Sequence, residues 1–250
     1  MSEAPPSQRI ADKLREAIVS GALEPGAKLP SERELARSYG TARNTARQAI
    51  AILRAEGLVE AEHGRGVFVR LRPPLLRLSH DRYSRRHREE GRAPFRAEVE
   101  AQGREARVEV TSISPVLSPG WVAGRLGLTE GDQVLLRKNL YLADDQPVQL
   151  AHTYIPWSIA ERSRFFEEIP EAGGIFAHFE RLGHRLVRFQ EDVSARMPSP
   201  DEARSLYLGR GIPVIEILHA SIDQDGRPFE VTQFILPADR NVLTFELPIS

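Results

Sequence analysis

Arginines recur at short intervals in the stretch "PSERELARSYGTARNTARQAI", which spans residues 30–50. Guanidinium groups pair with phosphates and, like the amide of Asn44, can match the hydrogen-bonding edges of bases. Small residues stand where a core helix would carry large ones. The stretch therefore predicts a surface for a polyanion, and the alternative is an ordinary solvated basic helix. The arginines concerned are Arg33, Arg37, Arg43 and Arg47.

The second half of this stretch predicts an amphipathic helix. At about 100° per residue, Arg43 and Arg47 lie about 40° apart on the helical wheel. Ala46, Ile50 and Leu53 form a separate apolar arc. The helix is therefore expected to bury one side and to present its arginines on the other.

The elements around this helix form a recognisable order within residues 8–70. A first helix precedes it, and Ser31 with Glu34 matches the capping box that begins a second. The arginine-bearing helix is predicted from about residue 42 to residue 56. Two short strands flank the glycine-rich tetrad at 63–66. Three helices followed by a hairpin are the layout of a winged helix-turn-helix.

Composition excludes several classes of protein. The chain has 250 residues and no cysteine, which excludes disulfide scaffolds and thiolate sites. The net charge is +2 over residues 1–70, +4 over 71–92 and −7 over 93–250. No run is long and apolar enough for a membrane span, and the N-terminus lacks signal-peptide features. A cytoplasmic protein without a membrane partner is expected.

The motif order PG…LPSER-L…G…R-T-R-A…L…EGLV…GRG-FV resembles the winged-helix reader of the GntR family of bacterial transcription regulators. The resemblance implies that Arg33, Arg43 and Arg47 contact DNA, with Arg43 and Arg47 nearest the bases. It also implies a phosphate contact at Thr45 and a wing that dips toward the minor groove. The predicted DNA-binding residues are Arg33, Thr41, Arg43, Asn44, Thr45, Arg47, His63, Gly64 and Arg65.

One position departs from the family pattern. The family usually has Val-Ser or Val-Thr just before the first arginine of the recognition helix, and this chain has Thr41-Ala42. Ala42 supplies no hydroxyl, so Thr41 is predicted to cap the helix instead.

The second half of the chain is rich in strand patterns. "LGLTEGDQVLLRKNLYLADDQPVQLAHTYIP" is echoed by "LYLGRGIPVIEILHASIDQDGRPFEVTQFILP". Each has a long strand, an Asp-rich turn and a second strand that ends in proline. The echo predicts two similar hairpins in a mainly antiparallel sheet, which leaves one face free for helices or a ligand.

This half resembles the effector-binding domain of the HutC subfamily, often called UTRA, whose fold is like chorismate lyase. The implied fold class is α+β, a winged helix-turn-helix joined to a chorismate-lyase-like antiparallel sheet domain. The predicted domains are a DNA-binding domain at 1–70, a basic linker at 71–92 and an effector-binding and dimerisation domain at 93–250. The linker is predicted either to be solvated or to supplement DNA binding.

The ligand site is predicted on the sheet between the two hairpins. In HutC members that bind sugar phosphates, two arginines and a carboxylate occupy the places of Asn139, Tyr141 and Ala151, so a phosphosugar is disfavoured. Glu230 matches a family pocket carboxylate, and the combination is expected to suit a neutral or weakly cationic molecule. The candidate lining residues are Tyr83, Arg137, Asn139, Tyr141, His152, Glu191 and Glu230, and residues of these types in such strands are more often cross-strand or surface residues than ligand contacts.

These patterns together favour a DNA-binding transcription regulator, expected to be a homodimeric repressor that a small-molecule effector releases from a palindromic operator. A ligand-independent repressor with a vestigial pocket is an alternative, as is an enzyme fused to a DNA reader. No catalytic fingerprint or paired metal-ligand spacing occurs, so no catalytic residue, metal or cofactor is expected. The effector, the target genes and the sign of regulation are left open.

Overall fold

A computed structural model describes residues 5–62, 64–70, 74–78, 93–161, 163–167, 174–209 and 211–246. The chain divides into two compact units. One unit comprises Met1–Pro74 with Gly209–Ile212, and the other comprises Leu75–Leu208 with Pro213–Ser250.

The first unit is a three-helix bundle followed by a hairpin, as the sequence predicts. Its elements are α1 (Pro6–Val19), α2 (Glu32–Ser38), α3 (Arg43–Ala55), β1 (Val59–Glu62) and β2 (Gly66–Val69). The strands pair antiparallel. Burial of the apolar stripes of all three helices builds one core, which includes Ile10, Leu14, Leu35, Ile50 and Leu53.

The two helices of the turn begin differently. At α2 the predicted capping box is confirmed, because the Glu34 amide donates to the Ser31 hydroxyl and the Ser31 amide donates to the Glu34 carboxylate at 2.8 Å. The N-cap of α3 is Ala42, and this helix has no side-chain cap. The prediction that Thr41 replaces the missing cap is therefore wrong.

The second unit is built on a six-stranded antiparallel sheet. In sequence order its elements are β3 (Leu75–Leu78), α4 (Pro94–Glu100), β4 (Ala106–Leu117), α5 (Gly120–Leu126), β5 (Gln133–Ala143), β6 (Gln146–Pro156), α6 (Trp157–Ala160), a 3-10 turn (Arg164–Phe166), α7 (Gly174–Arg181), β7 (Leu186–Arg196), α8 (Pro200–Ser205), β8 (Val214–Asp223), β9 (Pro228–Pro237) and β10 (Asn241–Thr244). The strand order is β4-β5-β6-β9-β8-β7. The predicted α+β class is confirmed.

The two echoing segments form the two central hairpins of the sheet. They are β5–β6 and β8–β9, and they join through the antiparallel pairing of β6 with β9. The turn of the first hairpin places Asp144 and Asp145 in the left-handed region, with φ of 51° and 60°. Two consecutive positive φ values are the requirement of a tight hairpin turn, and aspartate tolerates them better than most residues.

A strand lies inside the segment predicted as linker. β3 pairs parallel with β10 apart from the main sheet, and it belongs to the second compact unit. The linker prediction is wrong for these residues, because strand formation here depends on a partner more than 160 positions away. The rest of the predicted linker, apart from Pro74, lies outside the described residues.

Helices cover the two faces of the sheet unequally. On one face α5 packs on Tyr154 and Val231, and the residue after α8, Leu206, packs on Leu150 and Ile235. On the other face, α4 and β3 cover one end and α6 with α7 covers the opposite end. The middle of this second face carries polar side chains, and we call it the polar face.

Candidate functional site

The α3 helix presents its arginines to solvent, as the wheel predicts. The side chains of Arg43 and Arg47 are 68% and 61% exposed. Ala46, Ala49 and Leu53 are buried on the opposite side of the helix. Small buried alanines allow close approach of the neighbouring helix, which leaves the arginine face as the outer surface of the turn.

The carboxylate of Glu32 accepts hydrogen bonds from both Arg43 and Arg47. Glu32, at the start of α2, accepts from Arg43 Nε at 3.2 Å and from Arg47 Nε at 3.0 Å and Nη2 at 3.1 Å. The hydrogen bonds from Arg47 lower the pKa of Glu32 below its usual range, and the same bonds raise the pKa of Arg47. Glu32 thus orients the two guanidinium groups and also competes with any phosphate or base for them.

Other predicted DNA-binding residues gather at the starts of the two helices. Arg33 and Asn44 are exposed, and Thr41 and Thr45 are partly exposed. Because α3 has no side-chain cap, its first amide groups remain available to an anion. The arrangement places cations, hydroxyls and amide donors around the beginning of α3.

The wing turn is the other predicted contact. Gly64 and Gly66 have φ of +74° and +128°. A residue with a side chain would adopt these backbone angles only with strain. The Arg65 guanidinium is 73% exposed, pairs with Glu62 and lies over the ring of Phe68 at 5.5 Å. His63 lies outside the described residues.

Substituting Glu32 tests the double role of this carboxylate. Glu32→Gln removes a negative charge and frees both arginines for phosphates, so we expect tighter binding to random-sequence duplex DNA. The salt slope of log K should steepen by about 1 for each added phosphate contact. Discrimination between specific and random DNA should fall, because the guanidinium groups lose their orientation.

Fluorescence anisotropy at several salt concentrations measures these changes. Glu62→Gln, which frees only the wing arginine, is the matched control. Unchanged binding to random DNA in Glu32→Gln would show that the carboxylate does not restrain the arginines.

In the second unit, polar side chains form a row across the polar face. Register places Glu191 opposite His219, His219 opposite Thr232, Thr232 opposite Thr153, and Thr153 opposite Arg137. All five side chains therefore project from one side of five adjacent strands. We call this set the polar row.

Glu230 is enclosed by donors next to the polar row. Its Oε1 accepts from the Ser221 hydroxyl at 2.8 Å and its Oε2 accepts from the Thr232 hydroxyl at 2.6 Å. His219 Nε2 lies 3.5 Å from Oε1. The carboxylate is 2% exposed, so its hydrogen-bonding capacity is largely used within the protein.

Three of these residues have the connectivity of a nucleophilic triad. His219 Nδ1 lies 3.0 Å from Glu191 Oε1, and Nε2 lies 2.9 Å from the Ser221 hydroxyl. However, Ser221 is fully buried and donates its hydrogen to Glu230. A serine that accepts from the histidine is not prepared to lose a proton to it, so the geometry does not support nucleophilic catalysis.

Arg137 is a buried cation of a different kind. It is 7% exposed, and its Nη1 donates to the carbonyl oxygens of Phe165 and Glu167. Across the described ranges no carboxylate lies within ion-pair distance of it. Burial lowers the pKa of Arg137, and the Tyr141 hydroxyl opposes this shift.

Asn139 and Tyr141 follow Arg137 along the same face of β5. The Oδ1 atom of Asn139 is buried, and no described group donates a hydrogen bond to it. Burial raises the pKa of Tyr141, a hydrogen bond with Asn139 opposes the shift, and the charges of Arg77, Arg137 and Glu230 all act on the hydroxyl. These predicted lining residues are thus brought together.

Two other candidates are not part of this group. His152 lies opposite Lys138 and Gln233 on the other face of the sheet, and burial lowers its pKa. An unbroken hairpin register would put His152 opposite Arg137, but a bulge at Val148 puts Thr153 there instead. Tyr83 lies outside the described residues.

Sequence reasoning missed a buried ion pair beside Tyr141. Arg77 Nε lies 2.6 Å from Glu98 Oε2, and the two side chains are 2% and 6% exposed. Arg77 also donates to Gln149 at 2.8 Å and to Asn241 at 3.3 Å. The only signal was an arginine in an apolar run, "LLRL", within the predicted linker.

A winged helix with an exposed arginine face, joined to an antiparallel sheet domain, defines a DNA-binding transcription regulator. Family models agree, since residues 6–69 match the bacterial regulatory proteins of the gntR family and residues 101–241 match the UTRA domain. The chain belongs to the GntR family of transcription regulators and has the HutC-type arrangement of reader and UTRA domain.

Individual relatives cover nearly the whole chain. An uncharacterized HTH-type transcriptional regulator of Streptomyces coelicolor is 32% identical over 91% of this chain and 87% of its own length. The HTH-type transcriptional repressor NagR of Bacillus subtilis is 27% identical, covering 96% and 93%. The crystal structure of PhnF from Mycobacterium smegmatis is 25% identical with a TM-score of 0.61, covering 96% and 100%. The first two of these relatives are named as transcriptional regulators.

Neither a membrane-spanning helix nor a metal-binding cluster occurs in the described ranges. No helix there has the length and apolarity to cross a membrane. Nor do those ranges contain a group of three or more His, Cys, Asp or Glu side chains that could hold a metal ion.

Proposed function

We propose that the chain is a homodimeric repressor, released from a palindromic operator by a small organic effector that binds the polar face. The observation that carries the DNA-binding part is the exposed Arg43–Arg47 surface on α3. In this proposal Arg43, Arg47 and Asn44 read base edges, while Arg33, Thr45 and the wing contact the backbone or minor groove. NagR, described as a repressor, supports the sign of regulation.

The proposed dimer follows from the small number of bases that one winged helix can contact. A single recognition helix contacts too few bases for genomic discrimination, so two half-sites related by a two-fold axis are needed. The effector acts through different affinities for the DNA-competent and incompetent arrangements of the dimer. A dimerisation fragment should begin before Leu75, because a fragment starting at residue 93 would lack β3 and leave Glu98 without Arg77.

The structure changes the expected chemistry of the effector. The sequence suggested a neutral or weakly cationic molecule attracted by Glu230, but that carboxylate is already enclosed by two hydroxyl donors. Arg137 is a buried charge with no counter-ion among the residues that the structure describes. Among the described residues, Asn139 Oδ1 is a buried acceptor without a hydrogen-bond partner. We therefore propose an organic monoanion, such as a carboxylate, that also carries an N–H or O–H donor for Asn139.

Paired acids and amides test this proposal. The operator complex is titrated with aromatic and heterocyclic monocarboxylates that bear a hydroxyl or amino group, each beside its primary amide. We expect release by at least one acid and not by its amide. Arg137→Gln should raise the effective concentration about 10- to 100-fold, because a charge-assisted hydrogen bond contributes about 1.5–3 kcal/mol.

Lys138→Gln is the matched control, since Lys138 is the next residue on β5 and faces the opposite side of the sheet. It should respond like the parent chain. Release by the amides, or an unchanged response in Arg137→Gln, would contradict an anionic effector. If a thermal-shift screen finds no ligand at all, the chain is a ligand-independent repressor.

A further inference from the structure

The strand β7 forms an unprotected edge of the sheet. It is a terminal strand, and among the described residues no strand pairs with its outer side. Its register with β8 is unbroken from Arg188 to Arg196, and most of its side chains are exposed. Val187 and Val193 are 56% and 47% exposed. Long exposed edges with apolar side chains readily pair with another chain.

The opposite edge of the sheet is protected by comparison. On β4, Pro115 has no amide hydrogen, and the register breaks at a bulge between Val110 and Ser112. Both features block the addition of another strand. On β7 the register shift is confined to its beginning, between Leu186 and Arg188, and no proline follows within the strand. The two edges therefore differ in the capacity to accept a partner.

The charges on β7 are complementary to themselves. Two copies of a strand that pair antiparallel about a two-fold axis at Gln190 place Arg188 opposite Asp192 of the second copy, and the reverse. Opposite charges in directly opposed positions stabilise a strand pair. The Asp192 side chain is 51% exposed, and a hydrogen bond from Arg125 at 2.7 Å lowers its pKa, so it is ionised.

Neighbouring registers of the two strands give less favourable charge pairs. A two-fold axis at Glu191 would place the Glu191 carboxylates of the two copies opposite each other. A two-fold axis at Asp192 would place the two copies of Asp192 opposite each other, and Arg188 opposite Arg196 of the second copy. An axis at Phe189 makes no charge pair between Arg188 and Asp192. Only the axis at Gln190 pairs opposite charges without opposing like charges among these registers.

We infer that β7 is the dimer interface, where it pairs antiparallel with β7 of a second copy in the register centred on Gln190. The inference rests on the homodimer proposed above and names its surface. In this register Phe189 faces Glu191 of the second copy on the polar face. Since Glu191 binds His219, the seam lies beside the polar row. A ligand on that face would thus act close to the contact between subunits.

Cysteine crosslinking tests the register, because the chain has no cysteine of its own. Gln190→Cys places two thiols opposite each other at about 4.5–5.5 Å between Cβ atoms, near the range that a disulfide bridges. We expect the full-length variant to form a covalent dimer under mild oxidation. Arg188→Cys alone should not, because its two copies would lie roughly 14 Å apart. Mixed with Asp192→Cys, it should crosslink. Ser114→Cys, on the opposite edge strand β4, is the negative control.

Charge reversal provides a second measurement. Arg188→Asp and Asp192→Arg should each increase the dissociation constant of the dimer severalfold in sedimentation, and the double variant should restore it. A stable dimer in which Gln190→Cys does not crosslink would overturn this interface and leave the proposed homodimer standing. A monomeric parent chain at micromolar concentration would overturn both.

Discussion

Replacing Arg77 by methionine is expected to lower the free energy of unfolding of the second unit by about 3–5 kcal/mol. The reason is that the Glu98 carboxylate would stay buried after losing the guanidinium group 2.6 Å away. The substitution also removes hydrogen bonds to Gln149 and Asn241, which join β6 and β10 to β3. Urea denaturation followed by circular dichroism measures the change.

An exposed ion pair on the same domain is the control. Arg107 is 50% exposed and pairs with Asp145 at 2.9 Å, so Arg107→Met should cost less than about 1 kcal/mol. The double variant Arg77→Met with Glu98→Leu should recover much of the loss, because neither charge then remains buried alone. A cost for Arg77→Met no larger than that of Arg107→Met would show that the buried pair is not what joins β3 to the domain.

The second large effect is expected at the recognition helix. Arg43→Ala should cost about 1–3 kcal/mol on the specific operator and relax the preference at the base it contacts. Arg33→Ala should weaken specific and random DNA by similar factors and lower the salt slope by about 1. The contrast separates base reading from backbone contact.

Selection from a random duplex library first identifies the operator, and anisotropy titrations then compare the variants on selected and scrambled DNA. The side chains of Arg33 and Arg43 are both exposed, so neither substitution disturbs the core. Thermal unfolding should therefore show that both variants remain folded. Unchanged affinity and sequence preference in Arg43→Ala would mean that α3 is not the reading helix.

Short-range patterns were sufficient to predict most of the first unit. The apolar arc of α3, the capping box at Ser31 and the glycines of the wing each involve residues within a few positions of one another. The missing cap at Ala42 was visible as well, but its replacement by Thr41 was not, because capping requires a particular backbone geometry at a single residue.

Long-range pairing decided the composition of the candidate ligand site. A single extra residue at Val148 exchanges His152 for Thr153 on the polar face, since side chains alternate along a strand. No pattern in the sequence marks that bulge. The same applies to Glu230, whose charge suggested ligand binding until the structure showed Ser221 and Thr232 donating to it.

The sequence by itself determined the family, the order of elements, the two echoing hairpins and the arginine face of α3, because these depend on local periodicity and on motifs. Only the tertiary structure decided which strands are edges, that β3 joins β10, and that Arg77 is paired while Arg137 has no counter-ion in the described part of the chain. Burial and charge compensation are properties of groups brought together from distant parts of the chain, and no single segment encodes them.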